Sequence, residues 1–171
     1  QFFTERERDL EALAREVEAA PDVAARASRL ASFHGGRPYF WVALADASDI
    51  VVASSPRLSA RGVALLGERL SPPLPLSTAR VEQRTAWSGL LLDDVQSPSP
   101  GEARAALMLA MPIDGRGGLA GTLVASIDST SLSPLVGDPH LSPQATVSLL
   151  DGRGHVVTST DSRFRPGDQF P

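Results

Sequence analysis

The chain has 171 residues, a net charge of −4 and no cysteine. This charge disfavours a nucleic-acid-binding protein, which needs a basic face, and the lack of cysteine excludes disulfides and cysteine-ligated metal sites. An apolar fraction of 42% supports a folded core, but no apolar run is long enough to span a bilayer. Because the chain opens on Gln1 and stops at Pro171, we expect it to be a piece of a longer protein.

Two helices are predicted at the start of the chain. The first covers residues 4–19, with Thr4 and Glu7 at the spacing of a capping box. The second is predicted to begin at Pro21, because proline is tolerated in the first turn of a helix, and to run to about Ser32.

A heptad stripe of apolar residues runs through both helices. Its members are Leu10, Leu13, Val17, Ala20, Ala24, Ala27 and Ala31. One interpretation is a helix lying on its own sheet. The other is a helix that also pairs with a partner chain, and the pattern alone does not decide between them.

From Tyr39 the apolar period changes to two, which indicates strands. Two β runs at 39–46 and 50–55 form a predicted hairpin. Residues 60–69 favour a short helix, and the proline-rich stretch 71–77 predicts a loop.

Three longer β runs follow, at about 85–94, 103–113 and 119–128, and residues 130–136 predict a helical turn. Sequential strands with short connections are expected to pair antiparallel. The sequence therefore predicts an α+β fold, with a long N-terminal helix and a five-stranded antiparallel sheet.

One phrase occurs twice in the chain. Residues 42–55 read VALADASDIVVASS, and residues 147–160 read VSLLDGRGHVVTST, with Asp46 and Asp151 at matching positions. The offset from Val42 to Val147 is 105 residues. We interpret the second copy as the opening hairpin of another, incomplete module.

The order of these elements resembles the double Cache (PAS-like) extracytoplasmic sensor domains of bacterial transmembrane receptors. The matching pieces are the helix ERERDLEALAREVEA, the hairpin VALADASDIVVASS and the strand pair ARAALMLAMPIDGRGGLAGTLVASID. A strand ending in Pro112-Ile113, a glycine turn, and Gly121 to Asp128 before a short leucine-containing helix are typical of the family.

The resemblance implies two domains, a membrane-distal module at 1–136 and the first hairpin of a membrane-proximal module at 137–171. It implies a periplasmic location on an inner-membrane protein with flanking transmembrane helices. The implied function is sensing a small molecule, such as a carboxylate or other anion, for a receptor whose output is most often a histidine kinase. A chemoreceptor or a diguanylate cyclase is the alternative output.

A second hypothesis is that the chain binds no small molecule and acts in dimerisation or partner docking. The heptad stripe is its support, through a homodimer of the N-terminal helix. Leu13→Glu is the expected discriminating variant.

The resemblance places the ligand between the sheet and the region 57–88. Arg84, Trp87 and Ser88 lie where the third predicted strand begins, at about residue 85, and arginine offers a planar fork that suits a carboxylate. The alternative for this pair is a surface arginine and a core tryptophan.

Strand alternation places Asp128 on one face with Ser126. In amino-acid-binding relatives an acidic residue at this position receives the ligand's ammonium group. Those relatives carry a tyrosine-rich Arg-x-Trp-Tyr motif, which this chain lacks, and Asp128 serves equally well as a cap for the turn at 130–136.

Catalytic and metal-binding patterns are weak. His34, His140 and His155 are far apart, and no hydrolase or metal motif is present. The stretch 115–118 predicts a hairpin turn rather than a phosphate loop, and Asp93 and Asp94 are expected to point to opposite faces of a strand. We therefore expect neither an enzyme nor a cofactor.

Overall fold

The computed structural model describes most of the chain in eight stretches. They are residues 2–35, 37–57, 64–70, 75–93, 104–115, 120–137, 142 and 145–171. The helices are α1 (Phe2–Ala19), α2 (Val23–His34), α3 (Leu76–Glu82) and the short α4 (Ser133–Val136), which follows a 3₁₀ turn at Ser129–Leu132. The strands are β1 (Tyr39–Asp46), β2 (Val51–Ser55), β3 (Ala86–Asp93), β4 (Arg104–Asp114), β5 (Ala120–Asp128), β6 (Ser148–Leu150) and β7 (Val156–Ser159).

The first five strands form one antiparallel sheet in the order β2-β1-β5-β4-β3. Leu44 pairs with Leu123 at the centre of the sheet, and Met108 pairs with Ser126 on the other side of β5. The predicted five-stranded antiparallel sheet is therefore confirmed, and each of its strands begins and ends within one residue of the predicted bounds.

Helices α1 and α2 cover one side of this sheet, called here the α1-side face. Leu10, Leu13 and Val17 of α1 are fully buried there against the sheet. Burial of such side chains contributes about 1.5–3 kcal/mol each. Helix α3 packs on the opposite side, called here the α3-side face.

The helix boundaries differ from the predicted ones. Because α1 begins at Phe2, Thr4 lies inside the helix and forms no capping box, and Glu7 instead accepts a hydrogen bond from Trp87. The second helix begins at Val23 rather than Pro21, since the Asp22 side chain accepts the amide of Ala25 and caps it.

The predicted helix at 60–69 is wrong over its described part. Residues 64–70 lie along β2, where Val51 N donates to Glu68 O and Gly67 N donates to Val51 O. Gly67 has φ of 85°, a left-handed conformation that favours glycine. The predicted loop at 71–77 is also wrong at its end, because α3 begins at Leu76, and residues 71–74 lie outside the described residues.

The repeated phrase forms the same hairpin twice. Asp46 Oδ1 accepts the amides of Ser48 (2.8 Å) and Ile50 (3.0 Å). Asp151 Oδ1 accepts the amides of Arg153 (2.8 Å) and His155 (2.9 Å). Each carboxylate thus closes the turn between its two strands, which is why aspartate occupies both positions.

The structural repeat extends beyond the predicted phrase. Val156 N donates to Asp168 O and Gly167 N donates to Val156 O, as their counterparts Val51, Glu68 and Gly67 do in the first copy. Isolated bridges join Ile50 to Arg69 and His155 to Gln169 at equivalent places. The second copy therefore includes the segment that follows the hairpin as well as the hairpin itself.

The division into modules at 1–136 and 137–171 stays a prediction, which this repeat supports. Among the described helices, none combines the length and the apolar character needed to cross a membrane.

Candidate ligand-binding site

The α3-side face of the sheet carries few large aliphatic side chains. Leu76 and Ala79 of α3 pack on it. Its other buried members are Trp41, Ala43, Val51, Ala86, Met108, Ala110 and Val124. Alanines on neighbouring strands project only one carbon each, in contrast to the leucine-rich α1-side core.

Two hydroxyl groups lie on this face among the apolar side chains. Thr122 and Ser126 flank Val124, and alternate residues of a strand share a face. Both are fully buried. Thr122 Oγ1 has no hydrogen-bond partner, and burying such a group costs about 1–3 kcal/mol. An unpaired hydroxyl on this floor is a group that a small polar ligand could satisfy.

Arg80 fixes α3 over the face. Its Nη1 donates to Ala47 O (2.9 Å), and its Nη2 lies 2.9 Å and 3.2 Å from the two carboxylate oxygens of Asp49. Asp49 is in the turn between β1 and β2 and has φ of 64°. The guanidinium thereby joins one end of the helix to the hairpin turn on the same side of the sheet.

Asp128 is on this face by alternation, but its carboxylate is already engaged. Its Oδ1 accepts the amide of Thr130 (2.8 Å), so it caps the 3₁₀ turn that follows β5. The structure thus shows the capping arrangement that the sequence offered as the alternative. Ser126, two residues earlier in β5, is the predicted site residue that is buried on this face.

Arg84 does not approach the α3-side face with its side chain. That side chain is 72% exposed and forms an ion pair with Glu82 at 2.5 Å. The neighbouring Gln83 adopts the left-handed conformation that ends α3. The predicted carboxylate-binding arginine is therefore a surface residue in this structure.

Trp87 is on the opposite side of the sheet from the predicted pocket. Ala86 belongs to the α3-side cluster, so the next residue along β3 points to the α1 side. Trp87 Nε1 donates to Glu7 Oε1 (2.8 Å), and its ring meets the ring of Phe3 edge-on at 5.0 Å. The structure does not bring Trp87 together with Ser126 and Asp128.

Ser88 occupies an irregular part of β3. The register between β3 and β4 shifts between Trp87 and Leu90, and the Ser88 hydroxyl accepts the amide of Met108 (2.8 Å) while it donates to Gly89 O (2.6 Å). The hydroxyl therefore replaces a main-chain acceptor where the ladder is interrupted.

This bulge of β3 also meets the second hairpin. Asp151 Oδ2 accepts the amide of Leu90 (3.1 Å), and a cavity of about 160 Å³ lies beside it, lined by Phe3, Trp87 and Asp151 among others. The Asp151 side chain is 3% exposed. Burial acts to raise the pKa of Asp151, but amides of His155, Arg153 and Leu90 outweigh it and hold that pKa below its usual value.

His34 and His155 lie in separate parts of the fold. His34 Nε2 is 3.0 Å from Tyr39 O, and its Nδ1 is 3.4 Å from Ser55 Oγ. His155 Nδ1 lies 3.5 Å from Asp151 Oδ2. Within the described stretches, no three acidic or histidine side chains converge as metal ligands. His140, Asp94 and the turn at 116–118 lie outside the described residues.

Sequence reasoning missed Thr122 and Arg80. Nothing in the sequence distinguishes a threonine whose hydroxyl is unpaired from one whose hydroxyl has a partner. Arg80 lies in a helix that was not predicted. A signal for that helix was available, because Leu76 and Ala79 are three residues apart and prolines precede them.

Comparison with known proteins places the fold among sensor domains. The sequence matches no protein-family model and no curated protein. Its structure matches the ligand-binding domain of the Campylobacter jejuni chemoreceptor Tlp3 in complex with 4-methylisoleucine, with a TM-score of 0.73 and 17% identity over 95% of this chain and 64% of that one.

Two Pseudomonas chemoreceptors give similar results. The ligand-binding domain of Pseudomonas aeruginosa PctC with GABA has a TM-score of 0.66 and 18% identity, covering 95% of this chain and 69% of that one. The ligand-binding domain of Pseudomonas fluorescens CtaA with L-isoleucine has a TM-score of 0.62 and 15% identity, covering 95% and 63%. The chain thus spans slightly less than two thirds of the CtaA domain.

These neighbours are sensor domains of the Cache type. The resemblance predicted from the helix, the hairpin and the strand pair is therefore confirmed at the level of the fold.

Proposed function

We propose that this chain is the extracytoplasmic ligand-sensing part of a bacterial transmembrane receptor, and that it binds a small molecule on the α3-side face. The observation that carries the proposal is the buried Thr122 hydroxyl, which has no hydrogen-bond partner and lies on the α3-side face by strand alternation. The fold supports it, because the matching structures are ligand-binding domains of chemoreceptors.

The proposed ligand is a small polar metabolite. Amino acids and GABA are the first compounds to test, because the neighbours bind them. In this chain Arg84 pairs with Glu82 and Asp128 caps a turn, so neither supplies the ligand contact that the sequence predicted for it. A hydrogen bond from Thr122 to a hydroxyl, carbonyl or carboxylate group of the ligand is proposed instead.

The proposed receptor lies in the inner membrane, with this domain in the periplasm and transmembrane helices on either side. The neighbours favour a chemoreceptor as the output over the histidine kinase that the sequence suggested. Ligand binding would shift α3 and the hairpin turn between two arrangements, by an amount set by the difference in affinity for the two. The Arg80–Asp49 ion pair is the contact between these parts.

Thermal unfolding of the purified chain against a panel of amino acids, GABA and small carboxylates tests this proposal. A ligand at about 100 times its Kd adds about 2.7 kcal/mol to the free energy of unfolding, which raises Tm by a few degrees. Thr122→Val keeps the volume and removes the unpaired hydroxyl. We expect it to raise the stability of the ligand-free chain by about 1 kcal/mol and to reduce the ligand-induced shift.

Thr4→Val is the matched control, because Thr4 is exposed on α1. It is expected to leave both the stability and the ligand response unchanged. A panel without any response, or a response that Thr122→Val leaves at full size, would contradict a ligand on this face.

A further inference from the structure

A second cavity lies on the α1 side of the sheet, at its edge. It occupies about 510 Å³ between α2 and β2 and is called here the α2–β2 groove. Ala24 and Ala27 of α2, Val52 and Ala53 of β2, Arg57 and Leu66 are among its lining residues. Ligand pockets commonly have volumes of about 300–1,000 Å³. Val52 and Ala53 belong to the α1-side core, so this groove is separate from the α3-side face.

The groove is held open by small side chains. Ala24 and Ala27 belong to the heptad stripe, but unlike Leu10 and Leu13 they are not buried in the core. Three residues apart on α2, they present a low apolar surface toward β2. Ala27 is partly buried against the edge of the α1-side core, whereas Ala24 is exposed.

Large apolar side chains at the groove are exposed to an unusual degree. Val23 is 54% exposed and Leu66 is 60% exposed, and both line the groove. Exposed apolar side chains grouped around a concavity mark binding surfaces more often than scattered ones do. The groove therefore offers an apolar wall on both sides to an occupant.

Arg57 gives the groove its charge. It is the one charged residue among the described lining residues, and no acidic side chain of the described chain forms an ion pair with it. A guanidinium binds a carboxylate through two parallel hydrogen bonds. An occupant with an apolar body and a single carboxylate would match both the walls and the charge.

We propose that the α2–β2 groove is a second ligand site, which takes a medium-chain monocarboxylate. The carboxylate pairs with Arg57, and the hydrocarbon chain lies against Ala24, Ala27 and Val52. The site is independent of the proposed ligand on the α3-side face.

Calorimetric titration of the purified chain with octanoate tests the site, with octanol and acetate as reference probes. Octanol has the apolar body without the charge, and acetate has the charge without the body. We expect octanoate to bind at least about tenfold more tightly than either, because each reference loses one of the two interactions. Equal binding of octanol and octanoate would overturn the role of Arg57.

Two variants locate the site. Arg57→Gln is expected to weaken octanoate binding about tenfold or more, and Ala27→Phe is expected to abolish it by filling the groove. Arg29→Gln and Ala31→Phe are the matched controls, since both residues are exposed on α2 outside the groove. Both controls, and Thr122→Val, are expected to retain wild-type octanoate binding.

Arg57→Gln decides the outcome even if Ala27→Phe does not fold, because Arg57 is exposed and its replacement disturbs no core contact. Unchanged affinity in Arg57→Gln would overturn the proposal. A dimer in solution that Ala27→Phe disrupts, without octanoate binding to the wild type, would also overturn it and would identify a second copy of the chain as the occupant.

Discussion

At the scale of single residues, Asp46 and Asp151 share one structural role, and Asp151 has a second role in addition. Both carboxylates close a hairpin turn through two amides. Asp151 additionally accepts the amide of Leu90 in β3 through its second carboxylate oxygen. The second aspartate therefore attaches its hairpin to the main sheet, as well as shaping that hairpin.

Asp151→Ala is expected to release the amide of Leu90, because its acceptor is removed. Hydrogen exchange at Leu90 should accelerate, and the free energy of unfolding should fall by about 3 kcal/mol, the cost of removing a buried charged acceptor. Asp46→Ala is the matched control, since it opens the equivalent turn without touching β3. Equal exchange at Leu90 in both variants would show that the contact does not attach the hairpin.

At the scale of elements, α1 is attached to the sheet through its apolar stripe and through Trp87. The strands of the sheet could be predicted closely, because β-branched and apolar runs bounded by turn residues have few alternatives. The segment 64–70 could not, because its helical composition is overridden by main-chain hydrogen bonds to Val51. The sequence also could not show on which face of the sheet Trp87 lies, because that face depends on the register of β3, which the bulge at Ser88 alters. The predicted site therefore included a residue that lies on the opposite face.

Leu13→Glu is expected to unfold the chain rather than to separate a dimer. Leu13 is 1% exposed within a single chain, and an unpaired buried charge costs more than about 4 kcal/mol. The sequence suggested that this variant would discriminate between sensing and dimerisation, but a variant that unfolds cannot do so. Urea denaturation together with mass measurement checks this.

Ala31→Glu, on the exposed surface of α2, is expected to change stability by less than about 0.5 kcal/mol. If the wild-type chain is a dimer and Leu13→Glu is folded and monomeric, the stripe would instead be assigned to an interface between chains.

The Glu7–Trp87 hydrogen bond is the polar attachment of α1 to β3. Trp87→Phe keeps most of the ring and removes the donor, while Glu7→Ala removes the acceptor. A double-mutant cycle is expected to give a coupling of about 0.5–1.5 kcal/mol, since the pair is only part-buried. A coupling near zero would mean that Trp87 stabilises α1 only through its contact with Phe3.

At the scale of the whole molecule, the described residues contain two copies of one structural unit, the hairpin with the segment that follows it. The hairpin of the second copy could be predicted from its matching residues. The following segment could not, because Gly67 and Gly167 are 100 residues apart whereas the hairpins are 105 apart. The connection between the hairpin and the glycine is five residues shorter in the second copy. An alignment at the constant offset of 105 residues therefore does not match the two glycines.

The pH dependence of global stability is expected to reflect Asp151. Its pKa is lower in the folded chain than its ordinary value of 3.8, because the ionised form accepts three amides despite burial. The resulting stabilisation is complete above the unfolded pKa and is lost as the pH falls through the lower folded pKa. The free energy of unfolding, from urea titrations at each pH, should therefore decrease below about pH 4.

Asp151→Asn is expected to reduce this acid-induced loss, since it has no carboxylate to protonate. Asp161→Asn tests a second contribution, because hydrogen bonds from Arg163 hold the pKa of Asp161 below its usual value as well. An unchanged pH profile in Asp151→Asn would assign the acid sensitivity to other carboxylates.

The duplicated unit has a consequence for how such domains diverge. Apart from the aspartate carboxylate, the bonds that define it join main-chain groups, which every amino acid carries. Substitution can then replace nearly every side chain while an acidic residue at the turn and a glycine at the left-handed position preserve the geometry. Ancestry in this fold would persist in its backbone long after it has faded from the sequence, as the identities of 15–18% to the matching structures illustrate.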